Sequence, residues 1–259
     1  MSYQSDYSDL DRPELLQFVF YPRKWFTVAP PNSTDYLIPV EKDISISCRF
    51  YFCRQSSPSI LLFHGNGEVA CDYDDIAPIY NQLGINLFVA DYRGYGLSGG
   101  TPTFTNTISD AHAIFKGFQD IRRQGDYHGD VFAMGRSLGS VSAIELASHY
   151  PSEMKGLIIE SGVASVIKLM SHLGFPMEFL GITDLDFPNL SKVRTITLPT
   201  LIIHAEFDSL IPPTEARDLF DNVAAKDKRL VIIPGADHND IFVSGIQPYF
   251  KAISEFVFA

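Results

Sequence analysis

The sequence predicts an α/β fold with a mostly parallel, doubly wound sheet of about eight strands. Two observations predict it: short apolar runs alternate with longer segments of helical period, and most runs are continuously apolar, as in strands buried on both faces of a parallel sheet. The runs are Ile60–Phe63, Ile85–Ala90, Val131–Met134, Leu157–Ile159, Leu201–Ile203 and Leu230–Ile233. The predicted helices lie at about residues 72–83, 105–124, 138–149, 213–224 and 239–257.

The N-terminal part of the chain departs from this pattern. Residues 44–53 alternate in part between apolar and polar side chains, which predicts a half-buried strand near the edge of the sheet, where the sheet is antiparallel. For residues 1–30, which end at the Pro30-Pro31 pair, the sequence predicts a helix followed by an extended arm. They carry no chemical signature.

Residues 163–198 replace a simple crossover helix between two strands. We expect them to form a small cap over the carboxyl ends of the strands, inserted in a single domain that spans residues 1–259. Their apolar side chains either line a substrate pocket or only pack the cap onto the body, and the sequence leaves both interpretations open. These side chains are Met170, Leu173, Phe175, Met177, Phe179, Leu180 and Phe187.

Composition excludes several classes of function. The chain has 20 Lys and Arg residues against 31 Asp and Glu residues, a net charge of −11 without a basic run, which disfavours nucleic-acid partners and anionic membrane surfaces. Cys48, Cys53 and Cys71 form no Cys-x-x-Cys pair and indicate neither a disulfide framework nor a zinc site. The N-terminus lacks signal-peptide character and no apolar run approaches a membrane span, so we expect no integral membrane segment and a cytoplasmic location.

Two segments match the pattern G-x-S-x-G, and their context separates them. Ser137 directly follows the buried run 131–134 and precedes a helical segment, which is the strand, turn and helix setting of a nucleophile elbow. Ser98 is followed by Gly99, Gly100 and a Thr-Pro pair, which cannot begin a helix there. We therefore interpret Ser137 as the nucleophile and Ser98 as a loop serine.

A serine nucleophile needs a base, and His238 is the favoured candidate. It follows the predicted strand 230–233 through a Pro-Gly-Ala-Asp loop, at a strand end where catalytic groups of parallel sheets are expected. His204 lies within a buried strand and is interpreted as a hydrogen-bonded core histidine, and His149 at a helix end is interpreted as a surface histidine. The other candidates are His64, His112, His128 and His172.

The acid that orients the base should follow a neighbouring strand, between the serine and the histidine in the chain. Asp208, in the loop after the predicted strand 201–203, fits this position. Glu160 and Glu206 are alternatives, and Glu160 is interpreted as a structural acceptor for loop amides.

Backbone amides that receive the oxyanion complete the predicted site. One is the amide of Leu138, directly after the nucleophile. The other is the amide of Asn66 in the segment H-G-N-G, which closes the predicted strand 60–63. We expect His64 to brace this loop.

Five segments resemble the α/β-hydrolase superfamily and occur in the family's order from about Ile60 to the C-terminus. They are L-L-F-H-G-N-G-E, D-Y-R-G-Y-G-L-S-G-G, G-R-S-L-G, H-A-E-F-D-S-L-I-P and P-G-A-D-H-N-D-I. The chain is most similar to small-lid serine hydrolases, which include eukaryotic protein-depalmitoylating thioesterases and uncharacterised bacterial hydrolases. The resemblance implies a structural loop at residues 91–100, in which Arg93 pairs with a carboxylate. It also implies the roles of nucleophile, acid, base and oxyanion donors for Ser137, Asp208, His238, Asn66 and Leu138.

Residues 1–30 contain no cysteine, whereas the membrane-acting depalmitoylases of this subgroup carry an N-terminal cysteine cluster, so their substrate is not transferred to this chain. No cofactor or metal signature is found. We expect hydrolysis of a carboxylic ester or thioester of a small molecule or acylated substrate through an acyl-enzyme. Amide hydrolysis of the aminopeptidase kind and a non-catalytic binding protein are the alternatives, and the oligomeric state is open.

Overall fold

The computed structural model describes residues 7–175, 181 and 189–259. One sheet has the strand order β1-β2-β4-β3-β5-β6-β7-β8. Its strands are β1 (Ser33–Glu41), β2 (Ile44–Tyr51), β3 (Ser59–Phe63), β4 (Asn86–Ala90), β5 (Val131–Arg136), β6 (Gly156–Glu160), β7 (Thr200–Ala205) and β8 (Lys228–Ile233). The predicted fold class is confirmed.

Strand β2 is antiparallel to both of its neighbours, β1 and β4, and every later pairing is parallel. All residues of β3 to β7 are buried, because helices cover both faces of this part of the sheet. Five of the six continuous apolar runs of the sequence correspond to these strands. The sixth, Leu230–Ile233, lies in β8, and its predicted burial on both faces is wrong: β8 is the edge strand of the sheet, and Ile232 is 36% exposed.

The helices form two layers. Leu61 and Phe63 of β3 belong to the core on one face of the sheet, and Ile60 and Leu62 belong to the core on the other. The helices are α1 (Pro13–Val19), α2 (Ala77–Gln82), α3 (Phe104–Gln124), α4 (Ser140–His149), α5 (Val166–His172), α6 (Asn189–Val193), α7 (Pro213–Asn222), α8 (Ile241–Ser244) and α9 (Ile246–Val257).

Three local predictions differ from the structure. Strand β1 was not among the predicted strands; it contains Pro39, and as an edge strand with an irregularity between Pro39 and Glu41 it tolerates the missing N–H group. The helix predicted at 72–83 is a 3-10 turn at Ala70–Tyr73 followed by α2, which has a proline in its first turn. The helix predicted at 239–257 is divided at Gly245 into α8 and α9.

The segment predicted as a cap lies between β6 and β7 and contains α5 and α6. Met170 is buried within it and Leu173 is partly exposed. Phe175 is also described. The other apolar residues named in the prediction lie outside the described residues: Met177, Phe179, Leu180 and Phe187. The single domain with an inserted cap stays a prediction.

Within the described ranges, no helix combines the length and the apolar character that crossing a membrane requires. The cytoplasmic location stays a prediction.

Candidate active site

The predicted nucleophile Ser137 lies in the tight turn between β5 and α4. Its φ of 52° is in the left-handed region, which side chains other than glycine rarely adopt. A Cβ atom at Gly135 would collide with the carbonyl oxygen of Gly139, and one at Gly139 would collide with that of Phe63. Both flanking positions therefore require glycine, which is the physical reason for the G-x-S-x-G pattern here.

The structure brings together the side chains of Ser137, His238 and Asp208. The Nε2 atom of His238 lies 3.2 Å from Oγ of Ser137, and its Nδ1 atom lies 2.7 Å from Oδ2 of Asp208. The three residues are exposed by only 6%, 3% and 3%. Hydrogen bonds in this shielded position are little weakened by water, so the imidazole is held between the hydroxyl and the carboxylate.

Backbone amides fix the orientation of the Asp208 carboxylate. Its Oδ1 atom accepts hydrogen bonds from the N–H groups of Leu210 (3.1 Å) and Ile211 (2.7 Å). Oδ2 is left to face His238. The loop after β7 thus aims one oxygen of the carboxylate at the imidazole.

The two alternative acids have other partners. Glu160 accepts a hydrogen bond from the Tyr249 hydroxyl (2.8 Å) and forms an ion pair with Arg136 (3.0 Å). Glu160 is thus a structural acceptor, as predicted. Its partners, however, are these two side chains and not loop amides, so that part of the prediction is wrong. Burial raises the pKa of Glu160 although Arg136 opposes this. Glu206 is exposed and accepts from the amide of Gly235.

Arg136, next to the nucleophile, was missed by sequence reasoning. Its Nη2 atom donates to the carbonyl oxygen of His238 (2.8 Å), and Nη1 pairs with Glu68 (2.6 Å). Glu68 in turn accepts from the amide of Gly65 (2.9 Å), in the H-G-N-G segment. Burial alone would raise the pKa of Glu68, but the charges of Arg136 and His64 together with the hydrogen bonds from Gly65 and Tyr73 outweigh it and lower that pKa. One buried guanidinium therefore connects the loops on both sides of the nucleophile. An arginine inside an otherwise apolar strand was the available signal.

His64 braces the loop that carries Asn66, as predicted. Its Nδ1 atom faces the carbonyl oxygen of Gly65 (2.8 Å) and its Nε2 atom faces Asp91 (3.1 Å). Two acceptors favour the doubly protonated ring. Burial opposes this charge, but Asp91 outweighs it and raises the pKa of His64.

The predicted oxyanion donors border the same space as Ser137. The N–H group of Asn66 has no protein acceptor among the described residues. Leu138 lies in the first turn after β5, where N–H groups lack a partner within the helix. Their role as oxyanion donors stays a prediction.

A cavity of about 300 Å³ opens beside Ser137. Among the described residues that line it, none carries a charged side chain. The cap contributes Val163, Val166, Leu169, Met170 and Leu173, the N-terminal segment contributes Phe18, Val19 and Tyr21, and the body contributes Asn66, Phe104, Ser137, Leu138, Val141, Leu210 and Ile211. Of the two interpretations of the apolar cap residues, this lining supports the pocket for Met170 and Leu173.

Comparison with known proteins identifies the family. The family Hydrolase_4, described as serine aminopeptidase S33, matches residues 54–191 and 188–242, which is more than half of the chain. The chain belongs to this α/β-hydrolase family. The hydrolase is 31% identical over 227 residues to human α/β-hydrolase domain-containing protein 17B, with 86% of this chain and 74% of the relative covered. It is 32% identical to the protein of the same name from Xenopus laevis, with 82% and 70% covered.

Solved structures share the fold of the hydrolase. An esterase from Pyrococcus furiosus superposes with a TM-score of 0.74 at 18% identity, covering 91% of this chain and 97% of the esterase. A monoacylglycerol lipase from Paleococcus ferrophilus superposes with a TM-score of 0.63 at 19% identity, covering 82% and 98%. At these identities the likeness concerns the fold alone.

The second G-x-S-x-G segment of the hydrolase is structural. The Ser98 side chain is buried, and its Oγ atom accepts a hydrogen bond from the N–H group of Ser47 (2.9 Å). In the same loop, Arg93 pairs with Asp110 (2.7 Å) and Glu41 (2.7 Å). Both findings confirm the predicted structural loop.

Two further histidines also behave as predicted. His204 is buried in β7, and its Nε2 atom lies 2.9 Å from the carbonyl oxygen of Ile211. His149, near the end of α4, is partly exposed and pairs with Glu145 (3.1 Å).

One group of possible metal ligands lies outside the candidate site in the described part of the hydrolase: His112, Glu145 and His149. Oε1 of Glu145 lies 3.0 Å from Nε2 of His112, and the ammonium group of Lys192 pairs with the other carboxylate oxygen. Burial would raise the pKa of Glu145, but His112 and Lys192 lower it to about 2. The carboxylate is thus already compensated by protein groups.

Proposed function

We propose that the hydrolase cleaves carboxylic esters or thioesters through an acyl-enzyme on Ser137. The observation that carries this proposal is the position of His238, with its two ring nitrogens 3.2 Å from the Ser137 hydroxyl and 2.7 Å from the Asp208 carboxylate. In this order the imidazole can accept the serine proton while the carboxylate holds its Nδ1–H tautomer.

The reaction then proceeds in two balanced halves. Oγ of Ser137 attacks the acyl carbon, its proton moves to Nε2 of His238, and the carbonyl oxygen becomes an oxyanion that the amides of Asn66 and Leu138 receive. The alcohol or thiol leaves with the proton from His238. Water then gives a proton to His238 and attacks the acyl carbon. When this second tetrahedral intermediate collapses, Oγ of Ser137 leaves and takes the proton from His238, which releases the carboxylic acid and the free serine.

The uncharged cavity supports an uncharged acyl group as the bound part of the substrate. A second candidate, peptide hydrolysis, is favoured by the description of the matching family as a serine aminopeptidase. Recognition of a substrate ammonium group would need a carboxylate near Ser137, and the described cavity lining contains none. We therefore rank ester and thioester hydrolysis above it.

A fluorophosphonate probe together with p-nitrophenyl esters tests the proposal. We expect the wild-type protein to be labelled and to turn over the esters, and Ser137→Ala to lose labelling and at least about 1,000-fold in kcat. Ser98→Ala is the matched control, because it changes a buried serine in the same sequence pattern. It should keep both signals. Turnover by Ser137→Ala at the wild-type rate would refute the proposal.

A further inference from the structure

The N-terminal segment borders the cavity and contacts the cap. Phe18 and Val19, at the end of α1, line the cavity together with Tyr21. The ring of Phe18 meets the ring of Phe175, which follows α5, with 5.1 Å between centroids. The space beside Ser137 is thus covered from two directions, by the cap and by residues 18–21, which we name the arm.

The side-chain amide of Asn66 holds this arm. Its Nδ2 group donates to the carbonyl oxygen of Val19, and its Oδ1 atom accepts from the N–H group of Tyr21 (2.9 Å). A primary amide offers one donor side and one acceptor side, so it can pair with an extended backbone as a neighbouring strand would. Asparagine is the short side chain with this combination.

The hydroxyl of Tyr95 connects the two partners. It donates to Oδ1 of Asn66 (2.7 Å) and accepts from the N–H group of Tyr21 (3.0 Å). Tyr95 is fully buried, whereas Asn66 is exposed, so the buried hydroxyl supplies the fixed point against which the amide is oriented. The arm therefore rests on the structural loop 91–100 through Tyr95.

We propose that the arm is a specificity-determining wall of the acyl site, and that Asn66 and Tyr95 position it together with the oxyanion loop. The inference rests on the proposed function. The side chain of Asn66 holds the arm while its backbone N–H group faces the oxyanion, so the two tasks depend on the same residue. The ligand class is an uncharged aliphatic acyl group, whose distal carbons contact Phe18.

A chain-length series tests the wall. With acetyl, butanoyl and octanoyl p-nitrophenyl esters, Phe18→Ala should lower kcat/KM about tenfold for octanoyl and less than twofold for acetyl, because each methylene that loses apolar contact costs up to about fourfold. Phe26→Ala is the matched control: it removes an exposed aromatic ring from the same N-terminal stretch, outside the cavity lining. It should match the wild-type series.

A second pair of variants tests the positioning residues. Asn66→Ala and Tyr95→Phe should each lower kcat about tenfold for every ester, acetyl included, with little change in KM for acetyl, because a displaced oxyanion donor weakens the transition state more than the bound ester. Asn222→Ala, which changes an asparagine on α7 that bonds Arg194, is the control and should leave kcat unchanged. Thermal unfolding of each variant verifies that it is folded.

The outcomes separate this inference from the proposed function. Absence of fluorophosphonate labelling in the wild type would overturn the proposed function. If the wild type is labelled and Phe18→Ala gives the same chain-length profile as wild type, the arm is not a wall of the acyl site. Wild-type kcat in folded Asn66→Ala and Tyr95→Phe would overturn their role as positioning residues.

Discussion

The floor and the roof of the cavity are built on different principles. The floor, which holds Ser137, His238 and Asp208, is buried and polar, and each of its groups has hydrogen-bond partners that fix its orientation. The roof is formed by the cap and the arm; its described lining is mostly apolar, and Phe18 and Leu173 are each 37% exposed. Polar networks specify one geometry, whereas apolar contacts tolerate rearrangement. We infer that the sheet fixes the chemistry and that the attached segments select the substrate.

The largest effect should come from the carboxylate of the floor. Asp208→Asn should lower kcat about 1,000- to 10,000-fold, because an amide that donates to Nδ1 stabilises the wrong imidazole tautomer and cannot compensate the imidazolium. Steady-state kinetics with an acetyl ester measures this effect, because the short acyl group makes little contact with the roof of the cavity.

Glu160→Gln provides the matched comparison for Asp208→Asn. It changes a buried carboxylate on the neighbouring strand end that bonds Tyr249 and not His238. We expect less than a tenfold change in kcat. A larger loss in Glu160→Gln than in Asp208→Asn would transfer the role of the acid to Glu160.

A smaller loss should follow a change in the support of the floor. Arg136→Lys keeps the charge between Glu68 and Glu160, but one ammonium group cannot reproduce the planar fork that reaches both carboxylates and the carbonyl of His238. We expect kcat to fall about 10- to 100-fold with KM nearly unchanged, because the displacement affects the reacting groups and not the cavity.

Arg122→Lys is the control for this substitution. Arg122 is also a buried arginine, but it donates to the carbonyl oxygen of Gly129 before the start of β5, at the other end of the strand from Ser137. Its kcat should equal that of the wild type. Equal losses in the two variants would attribute the effect of Arg136→Lys to general destabilisation.

The smallest effect on turnover should come from a substitution in the ion pair between the cap helix α6 and helix α4. Lys192 of α6 pairs with Glu145 of α4, whose pKa is lowered from an ordinary value of 4.5 to about 2. A lowered pKa contributes stability above pH 4.5, which is lost as the pH falls towards 2. Glu145→Gln should therefore reduce the free energy of unfolding by about 3 kcal/mol at pH 7 and change kcat by less than twofold.

Urea unfolding at a series of pH values measures this difference. The gap between wild type and Glu145→Gln should narrow below pH 4.5. Glu255→Gln, which removes an exposed partner of Arg229, should change the unfolding free energy by less than about 1 kcal/mol at every pH. A constant gap between wild type and Glu145→Gln down to pH 2 would contradict the assignment.

Local patterns in the sequence were sufficient for the central strands of the sheet and for the three side chains that meet at their carboxyl ends. Continuous apolar runs mark β3 to β7, and the residues after β5, β7 and β8 converge because parallel strands end at one edge. The pattern around Ser137 was informative because both glycines are sterically required. Ser137 and His238 lie 101 positions apart, but each could be predicted from its own short segment, because each follows a strand of the parallel sheet.

The features that escaped prediction depend on contacts between distant segments. Arg136 meets the carbonyl of His238 across 102 positions, and Tyr21 meets Asn66 across 45. No periodicity or spacing encodes such pairs, because a single arginine or asparagine has many possible partners. Strand β1 also escaped prediction; it contains Pro39, which a strand at the edge of a sheet can accommodate.

The left-handed backbone at Ser137 has a consequence for how this position can evolve. A residue with a side chain loses about 1 kcal/mol or more in this conformation, and glycine would not. Selection for stability alone would therefore favour glycine at position 137. If Ser137 is the nucleophile, only purifying selection for turnover keeps serine there, and a homologue that has abandoned hydrolysis should be recognisable by glycine at this point of the turn.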